Sequence, residues 1–588
     1  MNRFLSTLAI VVAIVILSTL FPKKVMCQDL STIMDKEMLT ISGNLSIDQM
    51  FTPQLWGNTT GRDPYSYFIV GGLNMSLYGF SMPLNFSYSN QNLGFTHPFT
   101  FNQFGAQPSY KWVKTYVGYN SVSFSPYTLG GHQFCGFGFE LTPPQVPISV
   151  GLVYGRFLKA TEFEPPLNIP AYKRMGVGVK ASVSLPRANF NTSAFYAWDE
   201  PNSIQPLPDS LGILPKENLA ISFEGGVIPL KGLDLSLNVG NSVMTDDKFS
   251  AISNERKFWG GLFPTRNSTS MYWAYKIGIN YGIPIGTMGV SYEHIQPGYN
   301  TLGAYYFVND LENITLNSAI RVLDGKLNVG GNVGVQRDNL NDQKMFANTR
   351  LVGAGNISYS PNQSLNLNSS FSSFTSYTHL RSVFDHINNP SPYENLDTLN
   401  FTQINRSTTF GVTYAFGNES SKHTSSLSLS GNQSLNRQEG TSYGDDIIFI
   451  NAGLTHAISL SEVGWAFTVS TFYSTNSNPL GTSNTFGPFV NTTKTLMEGK
   501  LRFSIGSAYN RTWLNGDNQS TNINFRLTGS WNFKKSHNLN CSGAYYHISS
   551  AGSGVGERRE LVFNLMYSYN FQHKFTPKKK VESNPTDQ

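Results

Sequence analysis

From Arg321 to Arg337 the chain reads as a turn followed by a strand. Asp324-Gly325 is a two-residue turn signal, because such hairpin turns need positive φ at their central positions. Beyond it Leu327, Val329, Val333 and Val335 alternate with Asn328, Gly330, Asn332, Gly334 and Gln336. Side chains of a strand point to opposite faces with a period of two, so this strand has one apolar face and one small, polar face. The pattern recurs along the chain. Leu73, Met75 and Leu77 alternate with Asn74 and Ser76, and Leu84, Phe86 and Tyr88 with Asn85 and Ser87. Tyr275, Ile277, Ile279, Tyr281 and Ile283 alternate with Lys276, Gly278, Asn280 and Gly282. The pattern predicts an all-β chain with no fixed repeat unit, which argues against a solenoid or propeller.

Connections of two lengths separate these strands. Short ones fall at Asp324-Gly325, Ser360 to Gln363, Ser459 to Gly464 and Lys534 to Asn538. Long polar ones fall at Asp199 to Lys216, Ser242 to Ser270, Ser376 to Ser407 and Ser474 to Thr493. Tight turns on one rim and long loops on the other are expected of a single large antiparallel transmembrane β-barrel. At roughly 23 residues per strand with its connection, about 24 strands are expected, within a range of roughly 22 to 26.

Composition turns this ribbon into a membrane reading. Charged residues make up 13% of the 588 residues, about half the roughly 25% of an average soluble chain. A chain with so little charge is short of groups to cover a watery surface, but not one whose outside is lipid. Residues 1–27 read as a cleaved signal peptide: Arg3 leads an apolar run from Leu5 to Phe21, and Val25 and Cys27 suit a cleavage site before Gln28. Residues 28–38 form a short periplasmic lead, residues 39–571 the barrel, and residues 572–588 a basic periplasmic tail. With strands starting at Leu39, no separate plug domain is expected. The formal charge of +5 is accounted for by Arg3, Lys23 and Lys24 and by the lysine-rich tail. The neutral barrel is therefore no nucleic-acid binder. Cys135 and Cys541 read as two unpaired thiols on the wall.

Catalytic and cofactor chemistry is not signalled. The chain has no phosphate-binding glycine loop of the Walker type, no H-E-x-x-H, no G-x-S-x-G and no CxxC. Gly552-Ser553-Gly554-Val555-Gly556 is glycine-rich without the strand–helix setting that cradles a phosphate. Asp246-Asp247, Asp445-Asp446 and Asp385-His386 are adjacent pairs, which in extended chain face opposite ways, so they read as solvated loop charges. No catalytic residue, cofactor or metal ligand is assigned.

The polar phase supplies the candidate lumen residues: Lys276, Asn328, Asn332, Lys500, Arg502 and Arg526, with Glu498 sharing a face with Lys500 and Arg502. Trp259, Phe263, Tyr305 and Tyr306 are loop aromatics suited to gripping a ligand or folding a loop inward.

The final strand, Leu561, Phe563, Leu565, Tyr567, Tyr569 and Phe571 against Val562, Asn564, Met566, Ser568 and Asn570, resembles the assembly signal of Gram-negative outer-membrane barrels. With cleavage before Gln28 and the richness in Asn, Tyr and Phe, the chain resembles an outer-membrane barrel of the Bacteroidota type. The segment Arg62 to Arg156 is similar to the N-terminal part of uncharacterised large barrels of that group. It does not resemble plug-containing TonB-dependent transporters, and it is longer than the fatty-acid-transport-like barrels. The resemblance implies outer-membrane lipid around the wall, the barrel-assembly machinery acting on residues 561–571, and a pore or transporter for an unidentified solute. Alternatives are a scaffold or subunit of a surface secretion or gliding apparatus, docking a periplasmic or surface protein through Ser376 to Ser407; a rim enzyme; and a secreted β-adhesin. A lumen of this width needs partial plugging, which inward-folded loops or another protein must supply.

Overall fold

The computed structural model describes residues 39–575 except 54–62, 91–101, 164–169, 209–210, 254–262, Tyr306, 343–348, 376–401, 439–440, 443–446, 479–480, Lys535 and 551–556. Trp259, Tyr306, the 552–556 glycines, Asp385-His386 and Asp445-Asp446 lie outside the described residues.

Every strand pairs antiparallel with its neighbours in sequence, and the first, Leu39–Phe51, pairs with the last, Arg558–Phe575, from Leu39↔Phe575 to Phe51↔Phe563. The sheet is thereby closed, each strand having a paired neighbour on both sides among the described residues. Gln103–Ala106 and Ser109–Tyr110 form one interrupted strand, and Thr441–Ser442 is a two-residue addition to Ser421–Gln438. The wall is therefore a barrel of 26 strands. The last strand continues four residues beyond Phe571, taking in Gln572 to Phe575.

The alternation resolves into two faces. Ile277, Ile279, Val290, Leu316, Val333, Val335, Ile505 and Leu527 are large, apolar and 44–62% exposed, and all point outward. Their neighbours Ser291, Thr315, Asn317 and Asn332 point into the barrel. Across strands some outward glycines, among them Gly43, Gly71 and Gly543, are covered by rings. A Cβ on Gly43 would lie 2.9 Å from Phe571 Cζ at the closing seam. Cys135 and Cys541 are free thiols on the outward phase.

Short turns occupy one rim. Leu323, Asp324 and Gly325 all have positive φ (54°, 54° and 84°), so the Asp-Gly signal sits in a four-residue loop, 323–326, rather than a two-residue one. Met497, Glu498 and Gly499 repeat that backbone (53°, 53° and 89°). The opposite rim carries the long connections, with two exceptions. The connection expected over Ser474 to Thr493 is instead two paired strands, joined where Asn478 meets Gly481. Asn515-Gly516, both with positive φ, closes a second tight hairpin between Leu501–Leu514 and Asp517–Phe533.

Buried side chains concentrate inside the barrel, where loops meet the inner wall. One cluster joins Phe134, Val153, Phe157, Phe195 and Met244 of the wall to Phe124, Leu129 and Leu302 of two loops. A second joins Ala274, Ile295 and Leu311 to Tyr127 and Tyr299. A third lies outside: Phe263 packs on Val177, Tyr196, Leu219 and Val243, which share the outward phase.

Candidate functional site

Two loops of the long-loop rim, 124–129 and 296–310, fold into the lumen and meet there. Leu129 and Gly303 form a parallel bridge, and Gly130 N–H donates to Gly303 O at 2.9 Å. Thr301 Oγ1 donates to Thr128 O (2.7 Å) and Tyr299 Oη to Tyr127 O (2.7 Å). The wall beneath meets them with small and polar groups. Ala197, Ala220 and Ala274 are fully buried on the inward phase, and the space over Gly240 is taken by Tyr127 and the Tyr299 hydroxyl. Thr128 Oγ1 bonds Ser193 Oγ at 2.7 Å. Asn218, fully buried, donates to Ser242 Oγ (2.8 Å) and accepts from Leu302 N–H (3.1 Å). Ser242 Oγ in turn donates to Asn300 O at 2.5 Å. A buried polar network satisfied to this degree holds a loop in one place, since each broken partner leaves a desolvated group behind. Burial drives the phenols of Tyr299 and Tyr127 far above their ordinary range, for Tyr127 with the nearby Glu293 carboxylate adding to the effect, so both stay neutral donors.

The flank of this plug carries a polar recess of about 300 Å³. Its wall side presents Lys276, Glu293, Ser291, Thr315, Asn317 and Asn332, and loop residue Val308 roofs it. Lys276 Nζ and Glu293 Oε2 are 3.5 Å apart, and Glu293 Oε1 accepts from Tyr127 Oη at 3.1 Å, tying the recess to the plug. Ser291 Oγ bonds Thr315 Oγ1 (2.5 Å) and accepts from Asn317 Nδ2 (3.3 Å). Further along the same strands a second recess of about 530 Å³ opens at the short-turn rim, lined by Thr287, Arg321, Asn328 and Asn356, with Arg321 Nε donating to Asn328 Oδ1 at 3.1 Å. The two recesses lie one above the other on the same strands: the upper reaches Asn317 and Asn332, and the lower begins one inward position further on, at Ala319 and Gly330.

Of the residues singled out in the sequence, Lys276, Asn328 and Asn332 line these recesses. Arg526 faces the lumen on a distant arc, flanked across the strands by Gly506 and Ala544, and Arg502 faces it near the short-turn rim; neither has an ion pair among the described residues. Lys500 is not a wall residue. It closes the turn after Gly499, donating its N–H to Met497 O (3.1 Å), and Glu498 is in that turn too, so the three charges share no face. Tyr305 folds inward, stacking on His132 at 3.9 Å. Phe263 goes the other way, onto the outside of the wall. Asp246 pairs with Lys216 (3.1 Å) and Asp247 accepts from Phe249 N–H (2.7 Å), so this acidic pair is built into its loop. Glu293, Ser291, Thr315 and Tyr127 were not singled out. The alternation that places Lys276 inward also places Glu293 opposite it, a signal available from strand register alone.

No protein-family model matches the chain, and no curated protein does. Among solved structures the barrel is similar to the P pilus usher PapC translocation pore, at 12% identity over 90% of this chain and 99% of that one, with a TM-score of 0.37. It is also similar to the ferric enterobactin receptor PfeA of Pseudomonas aeruginosa, at 10% identity, 91% and 81% coverage and a TM-score of 0.37. OccAB2 of Acinetobacter baumannii matches at 8% identity, 61% and 93% coverage and a TM-score of 0.28. These likenesses assign neither solute nor partner.

Proposed function

We propose that this chain is an outer-membrane barrel that passes a small polar solute, as a pore or transporter, along the inner wall beside a loop-built plug. The observation that carries the reading is the pairing of loops 124–129 and 296–310 inside the lumen with two recesses stacked beside them on the same strands. A scaffold barrel has no need of recesses beside its plug. In this reading the chain is exported by cleavage before Gln28, and its short turns face the periplasm. Its outward face is solvated by lipid, and the last strand serves as the signal to the assembly machinery. Purified protein in planar bilayers should give discrete conductance steps. A tight electrical seal from correctly folded, heat-modifiable protein would sink the passage reading in favour of a scaffold.

A further inference from the structure

The geometry points to a ligand class for the upper recess: a neutral, polyhydroxylated solute of monosaccharide size, held between Asn313, Thr315, Asn317 and Asn332. The inference rests on the passage reading only for the site's place on the route, since binding is measured without transport.

Charge comes first. The recess holds one cation and one anion, Lys276 and Glu293, and they face each other at 3.5 Å, with Glu293 also engaged by Tyr127. A charged solute would have to split that pair and leave one member unmatched in a half-enclosed space, which costs several-fold in occupancy at the least. A neutral solute leaves it intact. The remaining polar lining is hydroxyl and amide: Ser291, Thr315, Asn313, Asn317, Asn332 and Gln336. Such groups both donate and accept, as vicinal hydroxyls do, so each can serve a polyol without a fixed polarity.

The second observation is an unmet acceptor. Asn313 Oδ1 is buried and has no hydrogen-bond partner, beside Thr315 one inward position along the same strand. An acceptor with neither a partner nor water is costly where it lies, so turning the Asn313 amide toward the recess to meet a ligand hydroxyl is favoured. Size agrees. About 300 Å³ corresponds to roughly ten waters, at the small end of ligand pockets. Val308, Leu311 and Val352 give the recess an apolar side against which the C–H face of a sugar ring can lie.

The test is saturation-transfer NMR on the detergent-solubilised full chain, with glucose, gluconate, glucosamine and alanine as separate probes. Glucose should give a saturable signal at least five-fold stronger than either charged analogue. Asn313→Leu should abolish it, while Asn313→Asp, which keeps an acceptor, should retain part of it; heat-modifiable mobility checks that both variants fold. Equal signals from gluconate or glucosamine, a dominant signal from zwitterionic alanine, or no saturable glucose signal in the parent would each overturn the assignment. Conductance without glucose binding would refute this inference and leave passage standing. Glucose binding without conductance would do the reverse.

Discussion

A charge at Val333 tests the assignment of the two faces. Val333 lies in the strand Leu327–Arg337, between Leu316 and Gly353 on the neighbouring strands, and is 46% exposed on the outward side. A strand rises about 3.3 Å per residue and tilts by about 40°, so each residue climbs roughly 2.5 Å along the membrane normal. Val333 is six positions above Leu327. It therefore lies about 15 Å above the short-turn end, near the middle of an apolar band about 25 Å tall. Val333→Arg places a guanidinium near the midplane at a cost of about 2–4 kcal/mol, a factor of roughly 30 to 1,000 in the folding equilibrium. The matched control is next door. Asn332 faces inward and its Oδ1 accepts from Ala354 N–H at 3.0 Å, so Asn332→Asp keeps the acceptor and adds a charge on the watery side. Unfolding in urea from lipid vesicles, read by the gel mobility of the folded barrel, should shift to lower urea for Val333→Arg and move little for Asn332→Asp. Equal destabilisation, or a larger loss for Asn332→Asp, would refute the face assignment.

Other perturbations separate the parts of the account. Tyr299→Ala removes a fully buried ring packed 4.9 Å from Phe307 and should loosen the plug by about 3–5 kcal/mol, raising conductance and its noise. Tyr299→Phe keeps the ring and loses one hydrogen bond, about 1 kcal/mol, so its conductance should stay near that of the parent. Gly43→Val drives a side chain into Phe571 across the closing seam and should lower the yield of heat-modifiable barrel, whereas Gly516→Ala, at a turn with open space, should alter stability by about 1 kcal/mol only. Phe263→Ala should increase proteolysis near residue 263 without changing conductance, because Phe263 packs on the outer wall.

Closure, the two faces and the inward placement of Lys276, Asn328 and Asn332 follow from a period-two pattern that depends on nothing beyond each strand. Even the strand number came within the expected range, because residues per strand and connection vary little in such barrels. The plug is a different kind of information. Tyr127 and Tyr299 are 172 positions apart, and neither loop is unusual by itself. Their meeting is encoded in the wall, where Ala197, Ala220, Gly240 and Ala274 interrupt the polar phase with residues too small to fill it. Lys500 lies in a turn rather than a strand because Met497-Glu498-Gly499 carries the turn into a stretch whose alternation continues in the sequence. The hairpin at Asn515-Gly516 was legible all along as an Asn-Gly dipeptide between apolar-alternating runs.

If the 296–310 loop narrows the lumen, single-channel conductance of a loop-replaced barrel will show it. Residues 297–309 exchanged for a short Gly-Ser link remove Tyr299, Thr301 and Leu302 while leaving the paired strand ends Ile295 and Leu311 in place. The loop-replaced barrel should show a severalfold larger unitary conductance and pass larger neutral polymers than the parent allows. A conductance unchanged from the parent, in a barrel that still folds, would contradict it.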